Sequence, residues 1–292
     1  MRHCPRISII TPCRNSARWL DQAIRSVIDQ DFDDWEHIIV DDASSDHSPA
    51  IARQYADVDT RIRVEHLAAP RGGAAARNHA LKLARGHYIA FLDADDWWRA
   101  NKLSSQHAFM ERHAIPFSFT AYEKTDKTGR LNNRIFHPPP TVDYRALLKT
   151  CPIGCSTVML ERAALGGRTM PDLPRSHDYA LWLEILRDGH IAQALQEPLT
   201  VYRERVNSLS GNKLAKWLMA WHIYRRREGL GRGASLALMA AYACHGLRKR
   251  LYLAAPGHTL TAPPWFPRRS RTSRLIKPFK AAYIAVAIHA AR

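Results

Sequence analysis

Segments typical of strands and helices alternate through the first hundred residues, and this alternation restricts the fold more than any other feature. Helical spacing of apolar residues, with Ser16 and Ser48 as N-caps, predicts helices at Ser16–Asp29, Ser48–Tyr55 and Ala74–Ala84. Runs of β-branched residues predict strands at Ile7–Thr11, His37–Asp41, Arg61–His66 and Tyr88–Leu92. Such a chain builds a parallel sheet flanked by helices, and ligands bind beyond the carboxyl ends of its strands.

The pattern becomes less regular after the fourth strand. A helix at Lys102–His113, a strand at Phe117–Tyr122 and a helix at Tyr179–Arg187 predict that further strands extend the sheet in mixed directions. Helical spacing returns at Leu214–Arg227 and Ser235–Arg250. We therefore predict an α/β fold with a mixed, mainly parallel sheet and a basic helical C-terminal extension.

Charge is distributed unevenly along the 292 residues. Residues 212–292 contain sixteen of the 43 Lys and Arg residues but only one acid, Glu228, and so carry +15 of the net +16. We interpret residues 1–211 as a catalytic domain and residues 212–292 as an appendage for an anionic membrane surface, not for nucleic acid. Its apolar stretches, Gly233–Leu247 and Ala281–Ala291, are shorter than the roughly 20 residues that cross a bilayer.

The five cysteines are odd in number and lack histidines at zinc-site spacing, so we expect them to be reduced. No apolar stretch typical of a signal peptide precedes the first predicted strand. These observations predict a cytoplasmic protein, placed at the inner face of the membrane by its basic extension.

Acidic residues follow two of the predicted strands. Asp41 and Asp42 end the second strand, and Asp93, Asp95 and Asp96 follow the fourth. In extended backbone Asp93 and Asp95 point the same way, so their carboxylates can hold Mg²⁺ or Mn²⁺ beside a diphosphate. The alternative interpretation is a set of turn formers and helix caps.

The first strand ends in Thr11–Asn15 (TPCRN) and not in a glycine-rich loop. A dehydrogenase with a dinucleotide-binding fold would carry GxGxxG at this point, so that the backbone could approach a pyrophosphate. A sugar nucleotidyltransferase would also need a glycine-rich loop with a following basic residue. The sequence fits neither class.

Seven segments, in order along the chain, resemble family 2 glycosyltransferases of the GT-A fold. They are Ile7–Asn15, Ile38–Asp46, Gly72–Leu81, Gly86–Trp98, Cys151–Leu160, Ser176–Leu186 and Pro198–Ser210. The chain looks most like bacterial transferases of cell-surface polysaccharide assembly, such as the teichuronic-acid type. The resemblance implies inverting transfer of a sugar from a nucleotide sugar, with UDP as the favoured nucleotide, to a hydroxyl of a lipid-carried or growing glycan.

The resemblance also implies roles for residues at the strand ends. Pro12, Arg14 and Asp42 would line the base pocket, with Asp42 accepting a hydrogen bond from the base. Arg77 would approach the nucleotide, although an arginine near a helix start can also be purely structural.

The DxD segment and the segment around residue 178 carry the implied chemistry. Asp95 would bind the metal, and Asp93 would lie beside the metal or the ribose. Asp178 would act as the general base that deprotonates the acceptor. His177 stands where the family usually has Glu or Gln, and Asp178 could alternatively cap the following helix.

Other candidates and functions remain open. Trp97 and Trp98 are candidates for stacking on an acceptor sugar, and Arg203 and Ser208 for contacts with phosphates or the acceptor. An acceptor that is itself a polyprenyl phosphate would need no general base. A non-catalytic basic adaptor for lipid or nucleic acid would leave the acidic strand ends unexplained.

Overall fold

The computed structural model describes residues 4–126, 128–204 and 213–254. Within these ranges ten strands form one sheet: β1 (Ile7–Cys13), β2 (Trp35–Asp41), β3 (Ile62–His66), β4 (Tyr88–Phe91), β5 (Trp97–Trp98), β6 (Phe117–Thr125), β7 (Leu131–Phe136), β8 (Thr141–Val142), β9 (Met159–Glu161) and β10 (Ala192–Tyr202).

The sheet is mixed and mainly parallel, as the sequence predicted. Its main order is β3-β2-β1-β4-β9-β6-β10-β5, with β7 beside β6 and β8 beside β10. Strands β1 to β4 pair in parallel, and so do β6 and β10. The short strand β9 lies antiparallel between β4 and β6 and joins the two parallel parts.

Helices cover both faces of the sheet. They are α1 (Ala17–Ile28), α2 (Ser48–Ala56), α3 (Gly73–Leu83), α4 (Lys102–His113), α5 (Tyr144–Lys149), α6 (Arg162–Leu165), α7 (His177–Arg187), α8 (Lys213–His222) and α9 (Arg232–Ala254). A 3-10 turn covers Cys155–Thr157, and a π-helical turn covers Ile223–Arg227.

The predicted N-caps are only partly right. Ser16 stands at the N-cap of α1, but its hydroxyl donates to the Arg14 carbonyl instead of capping the helix. The assignment of Ser48 as the cap of α2 is wrong, because His47 precedes the helix and Ser48 is its first residue. The Ser48 hydroxyl instead accepts from the Ser16 amide at 2.8 Å, which ties the starts of the two helices together.

A hydrophobic core lies on each face of the sheet. Helix α1 packs on one face, where Leu20 and Ile24 are fully buried. Helix α7 packs on the other face through Trp182, whose ring contacts Phe91 of β4 and Phe117 of β6. Because α7 is apolar on most sides, its position relative to the end of β4 is set by close packing.

The described C-terminal helices pack on the same core as α7. Ala220, Ile223, Tyr224 and Met239 are buried there, and the Tyr224 hydroxyl donates to the Leu148 carbonyl at 2.5 Å. The division of the chain at residues 211 and 212 stays a prediction. Pro256–Arg274 and Ala281–Ala291 lie outside the described residues, and among the residues described no helix has the length and hydropathy of a bilayer-spanning segment.

Candidate active site

Asp42 follows β2 and is almost fully buried. Its carboxylate accepts hydrogen bonds from the backbone amides of Arg71 at 2.6 Å and Gly72 at 2.9 Å, while the exposed Arg14 lies 3.7 Å away. Gly72 has φ +88°, a conformation that glycine adopts without strain. Asp42 therefore fixes the loop that leads into α3, and each of its oxygens keeps a second lone pair.

The loops after β1 and β2 are tied together beside Asp42. The Asn15 side-chain oxygen accepts from the Ser45 amide at 2.8 Å, and the Asp46 carboxylate accepts from the Ala17 amide at 2.9 Å. Half-buried Pro12 is the second-last residue of β1 and lies opposite Val40 of β2. The three residues predicted for the base pocket, Pro12, Arg14 and Asp42, thus lie on two adjoining strand ends.

Asp93, Asp95 and Asp96 form an acidic cluster just beyond β4. One carboxylate oxygen from each lies within 4.8 Å of the others. Asp93 and Asp95 are half-buried, whereas Asp96 is only 3% exposed. The predicted pair Asp93 and Asp95 is therefore brought together, and Asp96 joins it.

Asp96 has protein partners for both oxygens. Ser156 donates its hydroxyl at 2.7 Å, and the Arg203 backbone amide donates at 3.1 Å. Burial, together with the neighbouring charges of Asp95 and Asp93, raises the pKa of Asp96 well above its usual range. Asp96 thus links the segments of Ser156 and Arg203 to the end of β4, and its carboxylate is repelled by those of Asp95 and Asp93.

Arg77 is a buried cation beside the cluster. It lies in the second turn of α3, donates through Nη2 to Asp93, and donates through Nη1 to the Gly73 carbonyl at 3.3 Å. Burial opposes its charge, but the charge and hydrogen bond of Asp93, together with Cys155 and Asp178, outweigh that effect, and the pKa of Arg77 is raised. The predicted approach of Arg77 to the nucleotide stays a prediction.

Helix α7 brings Asp178 towards the same cluster. Asp178 is half-buried in the first turn of α7, where the positive end of the helix dipole favours a carboxylate. The helix begins at His177 and its N-cap position is Ser176, so Asp178 does not cap it. His177, the residue before Asp178, accepts from Arg77 Nη1 at 2.8 Å.

The remaining sequence candidates have different positions. Trp98 is buried and donates its Nε1 hydrogen to the Ser156 carbonyl at 2.8 Å, so its ring is not available for a sugar. Half-buried Trp97 lies under the Arg203 guanidinium, which also donates to the Asp95 carbonyl at 3.0 Å. Ser208 lies outside the described residues.

Comparison with known proteins decides the family. Residues 8–165 match the model of glycosyl transferase family 2. The chain is 39% identical over 247 residues to TuaG of Bacillus subtilis, named for teichuronic acid biosynthesis, covering 85% of this chain and 98% of the relative. The chain belongs to glycosyl transferase family 2.

This family 2 glycosyltransferase has a second close relative in Escherichia coli. It is 36% identical over 218 residues to WfgD, named as a UDP-Glc:alpha-D-GlcNAc-diphosphoundecaprenol beta-1,3-glucosyltransferase, covering 74% of this chain and 84% of the relative.

Solved structures share the fold of this family 2 chain. TarS of S. aureus with UDP-GlcNAc superposes with a TM-score of 0.63 at 19% identity, covering 82% of this chain and 71% of that one. A Pyrobaculum calidifontis mannosyltransferase with GDP-Man and Mn²⁺ gives a TM-score of 0.57 at 20% identity, covering 87% and 82%. These likenesses confirm the GT-A fold.

The acidic cluster has the chemistry of a divalent cation site in this family 2 transferase. Carboxylate oxygens are the hard donors that Mg²⁺ and Mn²⁺ prefer. A cation would relieve the repulsion by Asp95 and Asp93 that, after burial, raises the pKa of Asp96. Asp93 and Asp96 keep lone pairs beyond those used by Arg77 and Ser156. The residues present therefore fit such an ion.

Sequence reasoning missed two contacts in the site of this transferase. Ser156 holds both Asp96 and, by accepting at 3.1 Å, the Asp93 backbone amide. Its segment was noted only as a matching motif, because no local pattern shows that a serine reaches a carboxylate 60 residues away. The contact between His177 and Arg77, 100 residues apart, was missed for the same reason.

None of the five cysteines, all of which lie in the described part, forms a disulfide. That they are reduced stays a prediction. Burial raises the pKa of Cys13 to about 11 and raises that of Cys155 as well, so both are thiols near neutral pH.

Proposed function

We propose that this enzyme transfers a sugar from a UDP-sugar to a hydroxyl of a lipid-linked glycan in surface-polysaccharide assembly, with inversion at the anomeric carbon. The observation that carries the proposal is that buried Arg77 contacts both the acidic cluster, through Asp93, and the start of α7, through His177, which Asp178 follows. The names of WfgD and TuaG support the choice of donor and of acceptor class.

The nucleotide is assigned to the ends of β1 and β2. Pro12 and Arg14 would border the base pocket, and Asp42, already held by two backbone amides, keeps lone pairs that can accept from the base. Exposed Arg14 beside Asp42 adds positive charge at the rim. Discrimination of the base would therefore depend on a carboxylate whose position is fixed before the ligand arrives.

The diphosphate is assigned to the acidic cluster. Asp95 would be the principal ligand of Mn²⁺ or Mg²⁺, with Asp93 beside the ion or the ribose. When bound, the ion supplies positive charge that stabilises the departing nucleoside diphosphate. Arg77, held against Asp93, keeps that carboxylate in one orientation.

Asp178 is assigned as the general base. It would accept the proton of the acceptor hydroxyl while the oxygen forms a bond to the anomeric carbon and the electron pair of the sugar–phosphate bond leaves with the diphosphate. Attack from the face opposite the leaving group inverts the anomeric carbon. Asp178 lies in the first turn of α7, at the positive end of the helix dipole, which is a suitable position for a carboxylate base.

The decisive experiment measures transfer from UDP-glucose and UDP-GlcNAc to a GlcNAc-diphosphate lipid in Mn²⁺, with Asp178→Asn and the exposed acid Asp172→Asn as a matched control. We expect Asp178→Asn to lose about 10²- to 10⁴-fold in kcat while keeping its affinity for the donor, since removal of a general base costs this much. Asp172→Asn should behave as the wild type.

Two outcomes would contradict these assignments. Absence of transfer from any nucleotide sugar to any lipid-linked or free glycan would reject the function. Full activity of Asp178→Asn would place the base elsewhere, or would indicate an acceptor that is already a phosphate anion.

We also propose that the C-terminal region holds the enzyme at an anionic membrane surface. Helices α8 and α9 expose Trp217 (38%), Leu218 (54%) and Leu236 (58%), and Arg226 and Arg232 are exposed near them in sequence. Anionic lipid attracts each nearby Lys or Arg by about 1 kcal/mol, and exposed apolar side chains can enter the headgroup region. This location would keep the enzyme next to a lipid-linked acceptor.

A further inference from the structure

His177 joins two parts of the site that the sequence places 100 residues apart. It is the first residue of α7, next to Asp178, and its imidazole meets the Arg77 guanidinium of α3, which in turn meets Asp93 after β4. We infer that His177 is a positioning residue, which as a neutral imidazole fixes both Arg77 and the start of α7. The inference rests on the proposed function, in which Asp93 and Asp178 serve one reaction.

Hydrogen-bond chemistry determines which nitrogen of His177 carries its proton. Arg77 has only donors, so His177 Nε2, 2.8 Å from Arg77 Nη1, must accept. The hydrogen is therefore on Nδ1, which lies 3.4 Å from the Leu173 carbonyl. Burial, reinforced by the charge of Arg77 and opposed by Asp178, lowers the pKa of His177, which is consistent with a neutral ring.

Arg77 depends on this acceptor because it is buried. Its Nη2 is satisfied by Asp93, but Nη1 has only His177 and the more distant Gly73 carbonyl, and Nε has no partner among the described residues. A buried donor that loses its acceptor destabilises the folded state, and the cost is larger when the group is charged. Without His177 the guanidinium would move, and Asp93 would move with it.

The start of α7 also depends on His177. Ser176, at the N-cap, has a left-handed backbone (φ +57°) and makes no side-chain capping bond. The His177 ring, held at both nitrogens, therefore anchors this end of the helix to α3. Since Asp178 is the next residue, the same contact sets the position of its carboxylate relative to Asp93.

Gly73 confirms how tightly this contact is packed. A β-carbon built on Gly73 would lie 3.1 Å from Arg77 Nη1 and 3.9 Å from the His177 ring. A larger side chain at residue 73 would press on both partners. Arg77 and His177 thus leave little room beside Gly73.

The test compares His177→Gln, His177→Leu and the exposed-site control His113→Leu. Gln retains an oxygen that can accept from Arg77, whereas Leu fills similar space without any hydrogen-bond acceptor. We expect His177→Leu to lose about 10- to 100-fold in kcat, because small displacements of reacting groups cost this much, with a smaller change in the KM for the donor. His177→Gln should stay within about threefold of the wild type, and His113→Leu should match it.

A second measurement is independent of turnover. In ¹⁵N NMR spectra of the wild-type enzyme, His177 should show a neutral ring protonated at Nδ1 near pH 7, and His177→Leu should shift the Arg77 side-chain signals while His177→Gln shifts them less. Wild-type activity of His177→Leu, equal loss in His177→Gln and His177→Leu, or an Nε2-protonated ring would each overturn the inference. If no donor supports transfer, the proposed function fails, and the spectra alone decide the role of His177.

Discussion

The three neighbouring aspartates after β4 have different surroundings, and we expect them to have different roles. Asp93 is paired with Arg77, Asp96 is buried on Ser156 and the Arg203 amide, and Asp95 is half-buried between them in sequence. Their intrinsic chemistry is the same. The difference in burial between half-buried Asp95 and fully enclosed Asp96 predicts that substitution of Asp95 affects ligand binding, whereas substitution of Asp96 affects folding.

This separation can be measured with Asp95→Ala and Asp96→Ala. We expect Asp95→Ala to lose the Mn²⁺-dependent part of UDP binding with little change in the free energy of unfolding. Asp96→Ala should lower that free energy by about 1–3 kcal/mol, because the buried Ser156 hydroxyl and the part-buried Arg203 amide both lose this acceptor. Calorimetric titration of UDP with and without Mn²⁺, and urea unfolding, report the two effects. Metal-dependent binding by Asp95→Ala equal to that of the wild type would reject the ligand assignment.

A second residue-scale prediction concerns pH. His37 of β2 is fully buried, with its Nε2 2.9 Å from the Thr11 hydroxyl, and burial lowers its pKa to about 3 from a model-peptide value of 6.5. Above pH 6.5 neither the folded nor the unfolded state binds this proton. As pH falls from 6.5 towards about 3 only the unfolded state binds it, so the stability contributed by neutral His37 is lost over that window.

The measurement is the free energy of unfolding in urea at pH 7.5 and pH 5 for the wild type, His37→Gln and His113→Gln. We expect the wild type and the exposed control His113→Gln to lose about 1–2 kcal/mol more than His37→Gln between these values. Equal losses in all three proteins would show that His37 does not titrate as its burial requires.

At the scale of elements, α7 links the core to the catalytic geometry. Trp182 is fully buried against Phe91 and Phe117, and its Nε1 hydrogen has no partner among the described residues. The ring therefore contributes packing and not a hydrogen bond. Trp182→Ala should lower the free energy of unfolding by about 3–5 kcal/mol, and Trp182→Phe by clearly less. If urea unfolding gave the same loss of free energy for Trp182→Ala and Trp182→Phe, packing of the ring would not be the main contribution of Trp182 to stability.

Elements defined by local patterns could be predicted from the sequence, and elements defined by distant partners could not. Strands β1 to β4 and helices α1 to α4 lie close to their predicted bounds, because alternation and helical spacing are visible within a few residues. Strand β9 was not predicted. It has three residues, and only pairing with β4 and β6 makes it a strand.

The same limit applies to the site. The strand-end carboxylates Asp42, Asp93 and Asp95 were selected from their positions, since parallel strands end at one edge of a sheet. Asp96 was noted only as a neighbour, and its burial depends on Ser156. The sequence shows that His177 stands where the family usually has Glu or Gln. The role of this histidine depends on its contact with Arg77, and no spacing rule connects the two residues.

At the scale of the whole molecule, the described C-terminal helices have both a packed and an exposed side. Ile223, Tyr224 and Met239 are buried on the core, whereas Trp217 and Leu236 face outwards. Removal of all residues after 211 would therefore uncover the core as well as remove charge. A sharper test of membrane attachment keeps the packed helices and changes the exposed or terminal parts.

We predict that the full chain co-sediments with anionic vesicles at low salt and not with neutral vesicles. Removal of residues 255–292, and separately the double substitution Trp217→Ser with Leu236→Ser, should each release protein into the supernatant, with circular dichroism confirming retained folding. High salt should weaken the binding, because the attraction between Lys or Arg and lipid is screened. Full-chain protein that stays in the supernatant with anionic vesicles would contradict the proposed attachment.

The insertion of β9 between β4 and β6 has a consequence for synthesis on the ribosome. Strand β4 pairs with β1 on one side as soon as both have emerged, but its other side must wait for Met159–Glu161. At a translation rate of about 5–20 residues per second, the roughly 70 intervening residues take about 4–14 s to appear. Throughout that interval the nascent chain presents an open strand edge, the kind of surface that pairs with other chains. Cotranslational chaperones are therefore expected to act on this protein between the synthesis of β4 and that of β9.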